Sequence, residues 1–466
     1  MKAAQLILIL CLALPWAAPA SAGVADDADA YVKGEVAKRL IPGLAVAVVH
    51  RGEVVLARGY GMANLEWSAP ATPDTVFGLA SVSKQFTATA IMLLARDGEL
   101  SVDDPIAGKL DGLPKAWAGI TVRHLLGHTS GIKEYLRAKN LSLRQDYAEA
   151  DLIRMVADEP LEFPPGTRWA YSNTNYVLLG MIVAKAGETS LAAFCRDRIF
   201  EPLGMKSTRV NDPRAIIPRR AAGYERSWGV LRLSEWISPS LAATGDGAVV
   251  STALDLAKWE AALDGDRLLP RATLREMWTP GRLADGKPTG YGFGWVIGER
   301  RGRPVLEHAG GFPGTSAYIG RFPDEKLSVI VLSNIANAGA AQIGRGIAAL
   351  YAPSLAAPAP PPPDAKADPA ITARHRAALV AWRDGTLDPG LFTPEAKEAL
   401  FPGPIGDVRK QLAGLGPLGS FAPLGMKEAD GLRSHRYRAT LGEADLILTI
   451  GETPDGQIAS IRIVPE

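Results

Sequence analysis

The amino-acid sequence predicts an α+β protein made of a large N-terminal domain and a small C-terminal domain. At 466 residues the chain is long for a single folding unit. A stretch rich in proline and alanine, residues 351–369, includes four consecutive prolines and cannot continue a helix or enter the interior of a sheet. We therefore predict one domain at residues 23–350 and another at residues 370–466, separated by this extended linker.

The large domain has strand patterns at both of its ends. Residues 43–49 and 54–57 are apolar β-type runs on either side of a turn at residues 51–52, which predicts a hairpin. The middle of the domain is mainly helix and loop. This order predicts an antiparallel sheet closed by the two ends of the domain, flanked by helices and carrying a helical subdomain, with a helix after Ala336 covering one face. The later strand patterns lie at residues 292–297, 316–319 and 327–332.

The small domain combines helical patterns with a β-meander, which predicts a second α+β unit. Helical periodicity occupies residues 371–382 and 395–400. Strand-like runs follow at residues 434–441, 444–450 and 457–464, and a Thr-Pro-Asp-Gly turn joins the last two. No combination of residues in this domain predicts a chemical function.

The N-terminus has the pattern of a secretory signal peptide. Lys2 is followed by a short apolar run and by Ala20-Ser21-Ala22, which has the form of a cleavage site. The run is too short to span a bilayer. We therefore predict a leader at residues 1–22, a mature chain that starts near Gly23 without a membrane span, and secretion, to the periplasm of a bacterium. Cleavage would leave Cys195 as the only cysteine, which predicts a buried thiol and no internal disulfide.

The charge balance and the motifs that the sequence lacks argue against several kinds of partner and cofactor. With 51 basic and 50 acidic residues, the chain does not resemble a nucleic-acid-binding or membrane-surface protein. It contains no glycine-rich phosphate loop, no Gly-x-Ser-x-Gly elbow and no His-Glu-x-x-His motif. His124 and His128 have a spacing that could bind a metal ion, but Gly127 intervenes and no third ligand is evident. We expect neither a metal nor an organic cofactor.

Two segments have the spacing Ser-x-x-Lys, which can place an amine beside a serine hydroxyl. Ser81 and Lys84 begin an amphipathic helical pattern, so their side chains lie on one helix face and the helix N-terminus favours an alkoxide. Ser130 and Lys133 enclose Gly131, which predicts a loop. A serine needs an adjacent base to become a nucleophile. The sequence therefore predicts that Ser81 is the nucleophile and that Lys84 activates it.

Two further motifs could complete a site around this serine. In Tyr171-Ser172-Asn173, the phenol could relay the proton of the serine and the asparagine could hydrogen-bond a substrate amide. The segment His308-Ala309-Gly310-Gly311 precedes a predicted strand. Its glycines allow close approach of the backbone to a substrate and offer amide donors to an oxyanion.

The motifs Ser-x-x-Lys, Tyr-x-Asn and His-x-Gly together resemble the serine β-lactamase and penicillin-binding protein family, in its class C branch. The resemblance covers residues 29–350 and implies the β-lactamase/transpeptidase-like fold and hydrolysis through an acyl-serine. By position, it implies that Ser81 attacks the carbonyl carbon while Lys84 and Tyr171 share the role of general base. The implied substrate-binding and oxyanion residues are Asn173, His308, Gly310 and Gly311.

This chain departs from the family's Lys-Thr-Gly motif in a way that concerns the substrate. His308 replaces a permanent cation and would be only partly charged near neutral pH, and Ala309 has no hydroxyl. Weaker recognition of a carboxylate favours an esterase or a D-amino-acid-specific peptidase acting on small-molecule esters or D-peptides. A D-Ala-D-Ala carboxypeptidase, a β-lactamase with a β-lactam substrate, and a penicillin-binding receptor or pseudoenzyme without efficient turnover are the alternatives. The sequence predicts no oligomeric state.

Overall fold

The computed structural model describes residues 22–212, 214–227, 230–238, 241, 244–356, 363–401, 403–429, 431–442 and 444–465. The chain separates into two compact units, of which the first ends at Ala356. This boundary falls within the predicted linker, whose residues 357–362 lie outside the described part. Residues 1–21 of the predicted leader also lie outside it, so the signal peptide stays a prediction.

The first unit mixes antiparallel strands with helices, as the sequence predicted. Its described strands are β1 (Gly43–His50), β2 (Glu53–Asn64), β3 (Ala69–Pro70), β4 (Phe77–Gly78), β5 (Arg209–Val210), β6 (Tyr224–Ser227), β7 (Val230–Leu233), β8 (Val249–Ser251), β9 (Val296–Arg300), β10 (Arg303–Phe312), β11 (Thr315–Phe322) and β12 (Leu327–Ser333). Its described α-helices are α1 (Ala22–Arg39), α2 (Lys84–Arg96), α3 (Val122–Leu126), α4 (Glu149–Ala157), α5 (Asn173–Ala186), α6 (Leu191–Cys195), α7 (Ala253–Ala262), α8 (Arg271–Met277) and α9 (Ala340–Tyr351).

A seven-stranded sheet forms the centre of the first unit, in the order β3-β2-β1-β12-β11-β10-β9. The first long strand, β1, pairs with the last, β12, so that Leu44 lies opposite Ser333 and His50 lies opposite Leu327. The two ends of the domain therefore meet in the middle of one antiparallel sheet, as predicted. Strand β12 is buried along its whole length and β1 along all but its last residue. Such strands need a layer of helices on each face of the sheet.

Helices supply a layer on both faces. On one face, α9 packs against β11 and β12, and α1 packs against α9. The helix expected after Ala336 therefore covers a face of the sheet. On the other face, α7 packs against β1 and β12, and α2 packs against α5 within the helical layer. Cys195, at the end of α6, is a free buried thiol whose pKa is raised by burial to about 12, in agreement with a structural role.

Strand β10 was not predicted, and the strand pattern at residues 292–297 was misplaced. Regular pairing starts only at Val296, because Gly294 adopts a φ of +79° and its backbone lies against the carbonyl oxygen of Lys84. The segment expected to precede a strand, His308 to Gly311, lies within β10 and pairs with β11. Its two adjacent glycines have low strand propensity, so the amino-acid sequence of this segment does not predict a strand. The strand forms because the segment pairs with β11.

The second unit is a four-stranded antiparallel meander, in the order β13-β14-β15-β16, with helices beside it. The predicted helices and three predicted strands are present, whereas α12 and the edge strand β13 were missed. Strand β13 contains Pro423 and two glycines and has register shifts near residues 418–420 and 423–425. Proline is tolerated in an edge strand, because the N–H that it lacks would face the side of the strand that has no neighbouring strand to accept a hydrogen bond. The elements are α10 (Pro369–Asp384), α11 (Pro394–Leu400), α12 (Pro404–Leu415), β13 (Leu418–Ala429), β14 (Leu432–Leu441), β15 (Ala444–Glu452) and β16 (Ile458–Pro465).

Two histidines of the second unit, which look isolated in the sequence, are buried together. The Nε2 atoms of His375 and His435 lie 3.3 and 3.4 Å from Oε2 of Glu452. The Nδ1 of His375 lies 2.8 Å from the hydroxyl of Tyr437. These side chains form a polar island inside the small core, which their separation along the sequence concealed.

Candidate active site

Ser81 and Lys84 lie where a 3-10 turn, Ala80–Ser83, leads into α2. Lys84 is completely buried. Its Nζ lies 3.2 Å from Oγ of Ser81, 2.7 Å from Oδ1 of Asn173 and 2.6 Å from the carbonyl oxygen of Asp246. All three partners are uncharged oxygens. The structure thus holds the amine beside the serine hydroxyl, in the arrangement that the Ser-x-x-Lys spacing predicted.

The turn that carries Ser81 is shaped by its contact with β10. Ala80 adopts a φ of +45°, an uncommon conformation for a residue with a side chain. A Cβ atom on Gly310 would come within 2.1 Å of the carbonyl oxygen of Leu79, so only glycine fits between the strand and the turn. A Cβ atom on Gly311 would meet nothing within 4 Å. Gly310 therefore allows close packing, whereas Gly311 faces open space.

Beside the turn, one edge of β10 lacks a neighbouring strand, and Ala309 and Gly311 are exposed there. Strand β9 pairs with β10 only between Arg303 and Glu307. Beyond that point, β10 pairs with β11 on its other side, with Gly311 opposite Ser316. Among the described strands, none covers the free edge at residues 308–312. A free strand edge beside the serine presents backbone amide groups, as an oxyanion site requires.

Tyr171 immediately precedes the first turn of α5, which Asn173 begins. Its hydroxyl is buried and has no hydrogen-bond partner among the described residues. The Nζ of Lys84 lies 5.1 Å from the centre of the Tyr171 ring. A buried polar group without a partner is uncommon in native structures. The phenol is therefore available to a group that enters the site.

Glu134 orients Asn173, and it was not predicted from the sequence. Its Oε2 accepts hydrogen bonds from the backbone N–H of Asn173 at 2.7 Å and from the side-chain Nδ2 at 3.0 Å. With Nδ2 directed at the carboxylate, Oδ1 of Asn173 faces Lys84. Burial raises the pKa of the Glu134 carboxyl above its ordinary value. The residue stands only four positions after Ser130, but no periodicity connects it to Asn173.

Asp246 is the second contributor whose role the sequence did not reveal. Its backbone carbonyl oxygen accepts from Lys84, and its carboxylate accepts from the hydroxyls of Tyr135, at 3.2 Å, and Thr244, at 2.5 Å. These bonds fix the loop that carries the carbonyl. The position of the amine of Lys84 is therefore set by three different segments of the chain.

His308 is 4% exposed and does not reach open space. Its Nε2 lies 2.9 Å from the hydroxyl of Tyr291, and its Nδ1 lies 2.8 Å from the carbonyl oxygen of Ala309. Burial, with a smaller effect from the charge of Lys84, lowers the pKa of His308 to about 4. The imidazole is thus uncharged near neutral pH, and not partly charged as the sequence suggested.

The structure does not bring the side chains of the second Ser-x-x-Lys segment together. The hydroxyl of Ser130 donates to Oδ1 of Asn175 at 2.6 Å in the interior, while Lys133 forms an ion pair of 2.8 Å with Glu159 at the surface. Gly131 has a φ of +77°, so the segment turns sharply between the two side chains. The glycine that predicted a loop has this effect in the structure.

A cavity of about 380 Å³ opens at Ser81. Ser81, Asn173 and Gly311 line it, whereas Lys84, Tyr171 and His308 do not. Its apolar lining residues include Val76, Leu136, Trp236, Ile237, Val250 and Phe312. The structure therefore brings the predicted residues together around Ser81. Some of them form the wall of the cavity, and the others are buried and do not line it.

His124 and His128 serve the local fold. Nδ1 of His124 accepts from the backbone N–H of Thr121 at the start of α3, and Nδ1 of His128 accepts from that of Ser172. Within the described residues, no group of three or more His, Cys, Asp or Glu side chains is placed to hold a metal ion. In the same part of the chain, no single helix is long and apolar enough to cross a membrane, although the bent pair Asn173–Ala186 and Leu191–Phe200 meets the criteria of length and composition.

Comparison with known proteins identifies the family. The model of the Beta-lactamase family matches residues 28–352, which is most of the chain. The protein belongs to the β-lactamase family. A penicillin-binding protein of Bacillus subtilis is 34% identical over 307 residues, covering 62% of this chain and 67% of that protein. A D-aminopeptidase of Gluconobacter oxydans is 30% identical over 328 residues, covering 69% of this chain and 60% of that protein. The match thus spans less than two thirds of the D-aminopeptidase.

Solved structures of similar proteins confirm the β-lactamase/transpeptidase-like fold. A D-stereospecific amidohydrolase from Streptomyces is 27% identical, with a TM-score of 0.61 over 71% of this chain and 99% of that one. A D-amino acid amidase from Ochrobactrum anthropi is 26% identical, with a TM-score of 0.61 over 70% of this chain and 99% of that one. The octameric penicillin-binding protein homologue from Pyrococcus abyssi, 23% identical with a TM-score of 0.63, covers 95% of this chain and 98% of that one, and shows a shared fold alone.

Proposed function

We propose that the protein is a serine hydrolase that cleaves ester bonds or D-amino-acid amide and peptide bonds through an acyl-serine intermediate. The observation that carries the proposal is the buried amine of Lys84, 3.2 Å from the hydroxyl of Ser81, a residue that lines a cavity. The unpartnered hydroxyl of Tyr171 beside them adds a second group that can move a proton. Membership of the β-lactamase family supports this chemistry.

In the proposed reaction, Oγ of Ser81 bonds to the carbonyl carbon while its proton passes to Lys84 or Tyr171. The carbonyl oxygen becomes an oxyanion, which the backbone amides of Ser81 and Gly311 stabilise. Collapse of this intermediate breaks the bond to the alcohol or amine, which leaves with the proton. Water then attacks the acyl-serine, loses a proton to the same base and releases the acid, which restores Ser81.

The substrate class rests on the relatives and on His308. The D-aminopeptidase and the D-amino acid amidase support D-amino-acid amides and peptides as substrates of this chain. Because His308 is buried with a pKa of about 4 and Ala309 lacks a hydroxyl, the site has no cation at this position to hold the carboxylate of a β-lactam. We therefore expect neutral esters and D-amino-acid amides to be cleaved faster than penicillins or cephalosporins.

A second candidate is a receptor that penicillin acylates without efficient turnover. The relative from Bacillus subtilis, a penicillin-binding protein, is the observation that favours it. Such a receptor would retain the acyl group on Ser81. Esterase or amidase turnover and a persistent penicillin adduct are therefore the two outcomes that an experiment must separate.

Mass spectrometry of the purified protein, incubated with p-nitrophenyl acetate, D-phenylalanine amide, a D-Ala-D-Ala peptide or penicillin G, separates these candidates. We expect released p-nitrophenol or D-phenylalanine and no lasting adduct, and no cleavage by Ser81→Ala. A stable penicillin adduct without release of product would establish the receptor. Failure of every substrate to react at Ser81 would refute the proposed hydrolase.

We also propose that the protein is exported, on the leader pattern at residues 1–22. The amino-terminal sequence of the protein isolated from its native host tests this. We expect the sequence to begin near Gly23, and a chain that begins at Met1 would contradict export by this leader.

A further inference from the structure

The cavity beside Ser81 can be related to one part of the substrate through the position of the groups that move a proton. The leaving alcohol or amine must receive a proton, so it must lie towards Lys84 and Tyr171. Neither residue lines the cavity, whose lining includes Ser81, Gly311, Arg220 and Trp236. The part of the substrate that stays bonded to Ser81 is therefore the part that enters the cavity.

Arg220 brings a charge to this otherwise partly apolar cavity. Its backbone is anchored, because the N–H of Val76 donates to the carbonyl oxygen of Arg219 at 3.0 Å and the N–H of Ala221 donates to that of Val76 at 3.0 Å. Its half-buried side chain donates to the neutral Oδ1 of Asn211, which also lines the cavity. A guanidinium has five N–H donors, so this bond leaves most of them for another partner.

The nearby carboxylates have other partners, and that of Asp246, which also lines the cavity, accepts from the hydroxyls of Tyr135 and Thr244. Asp212 pairs with Arg214 at 3.5 Å, and Glu235, which also lines the cavity, pairs with Arg144 at 2.8 Å. Within the described residues, no carboxylate lies within 4.0 Å of the Arg220 guanidinium. Burial lowers the pKa of Arg220, which reflects the cost of holding its charge away from water. A planar cation without an anionic partner in a substrate cavity is suited to bind a carboxylate in bidentate fashion.

We propose that Arg220 is the anion-binding residue of this acyl-side cavity and that, among the proposed ester and amide substrates, those with a carboxylate on the side chain of the acyl portion are preferred. This inference rests on the proposed function and names its substrate class. The apolar walls, including Val76 and Phe312, accept the methylene groups between the reactive carbonyl and the carboxylate. This carboxylate lies on the side of the substrate opposite the leaving group.

The kinetic test compares p-nitrophenyl hydrogen adipate, which has a free carboxylate on the acyl chain, with its uncharged methyl ester. We expect the parent to favour the acid in kcat/KM. In Arg220→Gln the ratio of the two values should fall about ten- to hundredfold, as for the loss of one charge-assisted contact. Arg220→Lys should retain part of the preference. Arg219→Gln is the matched control, since that side chain does not line the cavity and the ratio should stay at the parental value.

A binding measurement keeps the inference testable without turnover. Monomethyl adipate, a monoanion, is titrated by calorimetry into three proteins: Ser81→Ala alone, Ser81→Ala with Arg220→Gln, and Ser81→Ala with Arg220→Lys. Circular dichroism first verifies that the three proteins are equally folded. We expect the Gln variant to bind at least about tenfold more weakly. Equal kinetic ratios or equal affinities in parent and Arg220→Gln would overturn the role of Arg220. A protein that binds the anion through Arg220 but hydrolyses neither ester would instead count against the proposed function.

Discussion

The two Ser-x-x-Lys segments of this protein have the same spacing but opposite environments. Lys84 is fully buried and its amine contacts Ser81, whereas Lys133 extends to the surface and Ser130 is bonded to Asn175 in the interior. The first pair stands where a 3-10 turn meets a helix, and the second encloses a glycine with positive φ. Spacing makes a contact possible, but backbone conformation decides whether the two side chains meet.

The largest expected difference between the two segments is in the nucleophile. Ser81→Ala should lower kcat/KM for p-nitrophenyl acetate by about a thousandfold or more, because the attacking oxygen is removed. Ser130→Ala should keep activity within about tenfold and instead lower the free energy of unfolding by about 1–3 kcal/mol, since the buried Oδ1 of Asn175 loses its donor. Esterase kinetics and urea unfolding measure both effects. A dead Ser130→Ala variant beside an active Ser81→Ala variant would reverse the assignment.

The lysines should differ almost as strongly. Lys84→Met removes the amine beside Ser81 while keeping the length of the side chain, and we expect activity to fall at least about a hundredfold. Lys133→Met breaks only a half-exposed ion pair with Glu159, which is worth about 0–1 kcal/mol, and should retain its activity. The same kinetic and unfolding assays apply. Equal losses of activity in the two variants would show that contact with Ser81 is irrelevant.

Glu134 should affect the site through Asn173. In Glu134→Gln, one side of the new amide presents a donor to groups that now donate to the carboxylate, so Asn173 should reorient and kcat should fall roughly tenfold. Burial raises the pKa of Glu134. As the pH is lowered, the activity of the parent should therefore begin to fall at a pH above the ordinary pKa of a glutamate carboxyl. The variant should lack this limb of its pH–rate profile. Glu159→Gln is the control, and an unchanged acid limb in Glu134→Gln would exclude the coupling.

The smallest effect concerns His308 and the dependence of stability on pH. Its pKa is about 4 in the folded protein, below the ordinary value, so the unfolded chain takes up a proton that the folded one excludes. The free energy of unfolding should therefore decrease as the pH falls through the window between the ordinary pKa, about 6.5, and the folded value, by at most about 3 kcal/mol. His308→Asn should lose this contribution. Urea unfolding at pH 7.5 and 4.5 measures it, and the same pH dependence in both proteins would contradict it.

Much of the site was predictable because its motifs are local. Ser81 and Lys84 are one helical turn apart, and Tyr171 and Asn173 stand together at the start of α5. Glu134 was not predicted because a buried carboxylate that accepts from Asn173 leaves no periodic signal in the sequence. The charge of His308 was also misjudged, since the burial that lowers its pKa depends on Tyr291 and on the packing of β10.

The resemblance to the family, the α+β class, a sheet closed by the two ends of the large domain, and the motif residues were all predictable from the sequence. All of these depend on short-range spacing or on apolar patterns that one segment displays alone. Tertiary structure decided that β10 is a strand, that Gly310 must lie against Leu79, and that Arg220 enters the cavity beside Ser81. These features arise from contacts between distant segments, so packing and burial, which no single segment contains, determine them.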